Sequence, residues 1–416
     1  MTTAHPPGPL DGIVVADFSR VLAGPYATML LADLGADVIK VESPAGDDTR
    51  TWMPPVRDRV ATYYLAINRN KRSIALDLKD PDDLEVAHDL SARADVFIEN
   101  FRPGGLAAFG LDYDAVRARN ESVVYCSISG FGSGAGAKLP GYDLLVQGVS
   151  GLMSLTGTPD GPPLRSGISV FDVMTGLHSA LGIVAALHYR DRTGLGQRIE
   201  TNLLSSALST LVNQASAYVA GGVVPHRMGN AHLSLYPYEP MPTGDGELII
   251  CVGNNRQFRL LCDTIGAPHL PDDPRFAQVM DRNNNRDELR PLLEARLATR
   301  SATEWFDALV AVGVPCGPIN TIEGGVALAE RLGLNPIVTA EGDPDGVPTV
   351  RNPIGFAATP ARYRRPPPAL DAHGDEVRAW LGHPRSKAAA PPRAREHPAS
   401  PDEPEPASVT EPGGAS

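Results

Sequence analysis

Residues 12–42 restrict the fold more than any other part of the chain. "GIVVADF" is an apolar run of strand length, "SRVLAGP" a loop, "YATMLLADLG" a helix ended by Gly35, and "ADVIKVE" a second apolar strand. Pro25 after Gly24 suits a first helical turn, where a missing N–H costs nothing. Two buried strands joined by a helix form a β-α-β unit, which requires parallel pairing. The alternation continues. "RSIALDLK" (72–79), "DVFIEN" and "SVVYCSIS" read as strands. "DPDDLEVAHDLSARA" and "LDYDAVRAR" read as helices, the first opening on acids and closing on a base, as the helix dipole favours. The pattern predicts a large, doubly wound, mostly parallel α/β domain over residues 1–224.

Within that span, 141–220 contains helical stretches apolar on most sides, which predicts buried helices. From about residue 225 the texture changes. "ELIICVG" is a strand, "NRQFRLLCDTIG" a helix, and "SATEWFDALVAVG" a helix opened by a capping box, Ser301 to Glu304. A smaller α+β domain is expected over 225–330, with 331–383 returning to the large domain. Residues 384–416 are too rich in proline and charge to build a core and are expected to be a disordered tail.

Composition narrows the function. The 416 residues carry a net charge of −12, which argues against a nucleic-acid or anionic-membrane surface. Cys126, Cys251, Cys262 and Cys316 have no CxxC spacing, so neither a zinc site nor a disulfide framework is expected, and reduced thiols fit a cytoplasmic setting. The N-terminus lacks a signal-peptide pattern and no uninterrupted apolar run reaches about 18 residues, so no membrane span is expected. No HxxxH, HExxH or GxSxG occurs, which leaves no signature for a catalytic metal or a serine nucleophile. "GFGSGAG" (130–136) follows a strand, but Pro140 and Gly141 break the helix into which a dinucleotide fingerprint must open. It reads instead as a loop, and as a candidate lid.

"SGISVFDVMTG" (166–176) holds one charge, Asp172, ahead of a mostly apolar helix. Two readings stand. Aspartate before a helix is a favoured N-cap, here for N–H groups near Met174 and Thr175. A carboxylate kept ionised at a helix N-terminus in apolar surroundings is also what a covalent nucleophile requires. His178 and His188, on the helix that follows, read as core or edge histidines.

Seven stretches, taken in order across about residues 10–380, resemble the class III CoA-transferases, the family of formyl-CoA transferase and carnitine CoA-transferase. They are "DFSRVLAGPYATMLLADLGADVIKVE", "NRNKRSIALDLK", "IENFRPGGLAAFGLDYD", "SISGFGSGAG", "GYDLLVQGVSGLMSLTG", "SGISVFDVMTGLHSALGIVAALHYRDRTGLGQRIE" and "VPCGPINTIEG". The resemblance implies reversible CoA transfer between an acyl-CoA donor and a free carboxylic acid acceptor, with no tightly bound cofactor and no metal. It places the nucleophile at Asp172, through an acyl-aspartyl anhydride and an aspartyl-CoA thioester. It implies CoA contacts at Val21, Leu22, Ala23, Leu76, Asp77, Asn100, Phe101 and Arg102, and substrate-proximal positions at Tyr142 and Asp143. It also implies an interlocked homodimer. Lys71, Arg72 and Arg102 are candidate phosphate contacts on charge. Gly130, Gly132, Gly253, Asn254 and Asn255 are candidates for loops closing over the substrate.

There are departures from the pattern. Formyl-CoA transferase has basic residues where this chain has Ser43, Ala108 and Ser129, and the family's glycine run is replaced by "VGNNRQF". The latter argues against a formyl/oxalate pair. Asn254, Asn255, Arg227 and His232 would suit a polar or dicarboxylic acid. His373 of "LDAHG" is retained. Two other functions share this fold: α-methylacyl-CoA racemisation, which needs a histidine where Tyr142 stands and a paired acid and base, and inactive CoA binding.

Overall fold

Adjacent residues along the central strands belong to opposite cores: Val15 and Ala16, Val38 and Ile39, Ile98 and Phe97, Val124 and Tyr125. This period of two makes a sheet buried on both faces. The computed structural model describes residues 7–343 and 346–383, so the tail expected over 384–416 lies outside the described residues. Six strands pair in parallel: β1 (Val14–Asp17), β2 (Asp37–Glu42), β3 (Lys71–Ala75), β4 (Val96–Glu99), β5 (Val124–Ser129) and β6 (Gln197–Asn202). Their order is β3-β2-β1-β4-β5-β6. The order reverses between β1 and β4, and in open α/β sheets a ligand crevice forms beyond the carboxyl ends of the strands at such a reversal.

Helix α1 (Ala23–Asp33) leaves β1 and packs in one core, and α2 (Pro81–Arg93) lies in the other. The Asp80 carboxylate caps α2 by accepting the N–H groups of Asp82 and Asp83. Further along the chain lie α3 (Asp143–Val149), α4 (Val170–Thr193), α5 (Leu203–Thr210) and α6 (Val212–Val219), among shorter helical turns. Phe171, Ile183, Ala186 and Leu187 of α4 enter the α1 core. The expectation that this apolar group is buried on most sides needs correction. Leu181 of α4 is 69% exposed, and α6 buries no residue. By length and hydropathy α4 matches a membrane span, with only 39% of its apolar window buried.

A third core gathers Tyr236, Leu248, Ile250, Phe258, Leu293, Trp305 and Leu309. It joins an antiparallel sheet of β7 (Tyr238–Pro242), β8 (Glu247–Cys251) and β9 (Cys316–Gly317) to helices including α7 (Asn255–Thr264) and α8 (Ala302–Ala311). The Ser301–Glu304 capping box opens α8. Residues 362–381 lie on the large sheet. Asn70 accepts the N–H groups of Arg364 and Arg365, the His373 N–H donates to Ser73, and Asp371 accepts the Ala75 N–H. This segment covers edge strand β3, which blunts its pairing potential.

Candidate active site

The loops after β1, β4 and β5 converge on a cleft at the reversal point. Val21, Leu22 and Ala23 line it from the first loop, and Asn100, Phe101 and Arg102 from the second. The third wall includes Ile128, Gly130, Phe131 and Gly132, and Tyr142 and Asp172 complete it. Gly130 and Gly141 pinch the neck of the 130–141 loop. A Cβ on Gly130 would lie 2.5 Å from the Gly141 Cα, so neither position has room for a side chain. Gly132 has φ +80°, which glycine adopts without steric cost.

Asp172 is not an N-cap. It is the third residue of α4, after Val170 and Phe171, and no side chain of the Ser169 cap bonds the helix. The cap comes from 29 residues earlier. Oδ1 of buried Asp143 accepts the Phe171 N–H at 2.8 Å and the Asp172 N–H at 3.3 Å. Its Oδ2 accepts from the Gln147 amide at 2.5 Å. Asp143 therefore spends its carboxylate on fixing the helix that carries Asp172. The expected effect of the helix end on Asp172 is also reversed. Burial, and then the Asp143 charge, push the Asp172 carboxyl up to about 7. Desolvation and a like charge both favour the protonated form here. Burial likewise raises the nearby Tyr63 phenol, with the Asp172 charge adding to the shift.

Several expected contacts lie elsewhere. The fully buried Lys71 ammonium donates to Asp17 at 3.1 Å, to the Pro25 carbonyl at 2.9 Å and to Asn68 at 3.0 Å. The Arg72 guanidinium pairs with Asp37 and Glu376 at the amino end of β3, opposite the cleft. Neither base lines the cleft. Leu76 is a core residue, and the Asp77 carboxylate accepts the Lys79 N–H. Both follow the correct end of β3 without lining the cleft.

Gly253, Asn254 and Asn255 stand at the start of α7 in the third core's unit, outside the cleft. Asn254 caps α7 through the Gln257 N–H, and Asn255 is held by Arg282 and Gln278. The His232 ring accepts the Ser234 and Leu235 N–H groups, and Arg227 donates to the Thr158 carbonyl. His373 takes the Ser73 N–H, and His178 bonds Ser206. The sequence reading missed Arg20, a cation on the cleft wall that sits in the same quoted loop as Val21. It also missed the capping by Asp143 and the proximity of Tyr63, which are long-range and leave no local signal.

A cleft at the crossover, lined by the loops that carried the resemblance and by the Asp172 carboxyl at the start of α4, agrees with what is known of similar chains. Residues 10–374 match the model of CoA-transferase family III. The chain belongs to that family. It is 45% identical over 383 residues to the succinate–glutarate CoA-transferase of Agrobacterium fabrum, covering 90% of this chain and 96% of the relative. It is 40% identical over 372 residues to human succinyl-CoA:glutarate CoA-transferase, covering 89% and 85% of the two chains. Among solved structures, a CAIB/BAIF family protein from Brucella suis superposes with a TM-score of 0.80 at 43% identity, covering 90% of this chain and all of the other. The family III chain described here is thus a CoA-transferase, acting on CoA thioesters and free carboxylic acids.

Proposed function

We propose that this family III CoA-transferase moves CoA reversibly between an acyl-CoA and a dicarboxylic acid, with Asp172 as the nucleophile. The observation that carries the reading is the Asp172 carboxyl in the crossover cleft, facing the loops assigned to CoA. The dicarboxylate follows the names of the relatives, with succinyl-CoA and glutarate as the first pair to assay. Val21, Leu22, Ala23, Phe101 and Arg102 form the proposed CoA wall, with Arg20 and Arg102 as its cations.

The cycle balances without ATP or metal. The Asp172 carboxylate attacks the thioester carbon, a C–O bond forms, the C–S bond breaks, and CoA leaves as thiolate. The thiolate attacks the Asp172 carbonyl of the anhydride and expels the first acid as carboxylate. The acceptor carboxylate then displaces CoA from the aspartyl thioester. Thiolate attack on the acceptor's acyl carbon releases the new acyl-CoA and restores Asp172. Each covalent form is an activated acyl group, so the path avoids the deep trap of a simple ester. Anhydrides hydrolyse, and the narrow-necked loop over the cleft suits the exclusion of water.

A homodimer in a cytoplasmic setting belongs to the same proposal. Leu181 of α4, Val219 of α6 and the following Val224 are 69%, 82% and 73% exposed, large apolar side chains of the kind that a second copy covers.

Incubation with succinyl-CoA followed by hydroxylamine or borohydride should modify Asp172 alone, and Asp172→Ala should be inert. Retained acyl exchange in Asp172→Ala overturns the assignment. Deuterium wash-in at the α-carbon of a 2-methylacyl-CoA without acceptor would instead support the racemase.

A further inference from the structure

The turn between β1 and α1 is held in a conformation that its sequence disfavours. Val21 has φ 69°, a left-handed backbone that an L-residue, and a β-branched one above all, avoids. Side chains from β2, from the loop that follows it and from the loop after β4 tie down the backbone around it. The Asn100 amide pairs with both sides of Arg20: its Oδ1 accepts the Arg20 N–H at 2.9 Å, and its Nδ2 donates to the Arg20 carbonyl at 2.7 Å. The Val21 N–H points between the two Asp47 oxygens, at 3.3 and 3.4 Å. Fully buried Lys40 bridges Asp47, at 2.8 Å, and the Ser19 carbonyl, at 3.1 Å. Asp47 is further fixed by the Thr49 N–H and hydroxyl.

A buried ion pair is weak support for stability, because desolvation offsets the attraction. Here its geometry serves a turn. The sharp bend at Val21 sets Leu22 and Ala23 on the cleft wall and starts α1 there, with no side chain capping that helix. Strained backbone held by over-determined surroundings marks functional sites.

We infer that Asp47 and Asn100 form a clamp that holds Val21 left-handed and so shapes the CoA-facing wall, making both of them positioning residues for CoA transfer. The inference rests on the assignment of this cleft to CoA. Asn100, expected as a CoA contact, acts here through the Arg20 peptide.

The test is a double-mutant cycle in the full-length protein, read by succinyl-CoA:glutarate kinetics and by calorimetric titration with free CoA. Asp47→Asn should raise KM for succinyl-CoA and Kd for CoA roughly tenfold, the order set by the left-handed penalty. KM for glutarate and kcat should stay within about twofold. Adding Val21→Gly, which accepts positive φ without strain, should bring both constants to within about twofold of Val21→Gly alone. Asn100→Ala, on a half-buried residue, gives the same cycle if Asp47→Asn does not fold. A defect in both variants that Val21→Gly leaves unrepaired marks direct contact or general damage and overturns the clamp, as does no defect. Wild type that binds CoA without transferring it refutes the proposed reaction, while the titrations still test the clamp. Wild type that neither binds nor transfers CoA overturns both.

Discussion

Replacing Asp172 by asparagine should abolish transfer and, at alkaline pH, stabilise the protein. The carboxyl is held at about 7, against an ordinary value of 3.8, by burial and by Asp143. Between those two values the native state keeps a proton that the unfolded chain has lost. Stability therefore falls as pH rises through that window. About three pK units at ~1.36 kcal/mol each set a ceiling of ~4 kcal/mol on the cost of ionising Asp172. The carboxyl opens onto a cleft, so solvent screening reduces the cost to ~2 kcal/mol. Asparagine keeps the shape and cannot ionise. With an unfolding entropy of roughly 0.8 kcal/mol/K for a chain of this size, Asp172→Asn should melt ~2–3 °C above wild type at pH 8. At pH 5 the difference should shrink to less than half. Scanning calorimetry of both proteins across pH 5–8 reads this directly, since other titrating groups cancel in the difference. A melting difference that does not change with pH, or that grows towards pH 5, refutes the placement of Asp172 as a desolvated carboxyl beside a second charge.

Four further outcomes follow from the same structure. The first acyl transfer needs ionised Asp172, so kcat/KM for succinyl-CoA should rise with pH through an apparent pKa near 7 and fall away in acid; a stopped-assay pH series measures it. Asp143→Ala removes the cap from two α4 N–H groups and one charge from beside Asp172, which should cost about 1–2 kcal/mol in urea unfolding and move that apparent pKa downward. Lys71→Ala leaves Asp17 buried beside an empty site and should cost about 3–5 kcal/mol in the same assay, whereas Arg102→Ala should raise KM for the acyl-CoA with little change in stability.

The layer structure was legible because strand burial writes itself as short apolar runs, and the β-α-β spacing leaves only parallel pairing. The capping box at Ser301 was legible because both partners lie within one turn. Lys71 and Arg72 misled because charge in a sequence does not show its partner. Asp17 lies 54 residues before Lys71, and Asp37 lies 35 before Arg72. The apolar texture of α4 and α6 was read as burial within one chain, but apolar residues report only that water is excluded somewhere. The role of Asp172 as cap failed for a related reason. A local rule assigned the helix end to the nearest acid, and the fold supplied a more distant one.

The raised Asp172 pKa bears on the proposed cycle beyond its acid limb. Burial penalises the anion, and acylation removes that charge as surely as protonation does. The work that raises the carboxyl therefore also favours the anhydride and the aspartyl thioester over free carboxylate, by about thirtyfold for the ~2 kcal/mol that remains after solvent screening. An ordinary carboxylate held near 4 by nearby cations would lack this drive, and its covalent forms would revert. Covalent enzyme should then accumulate when succinyl-CoA is supplied without acceptor, most completely near pH 8, where protonation no longer competes. Intact-mass spectrometry of rapidly quenched protein should show the CoA adduct at pH 8. Removing Asp143 lowers the penalty on the anion, so Asp143→Ala should reduce adduct occupancy while leaving its site at Asp172. Equal occupancy in the two proteins would mean that the charge beside Asp172 does not drive acylation.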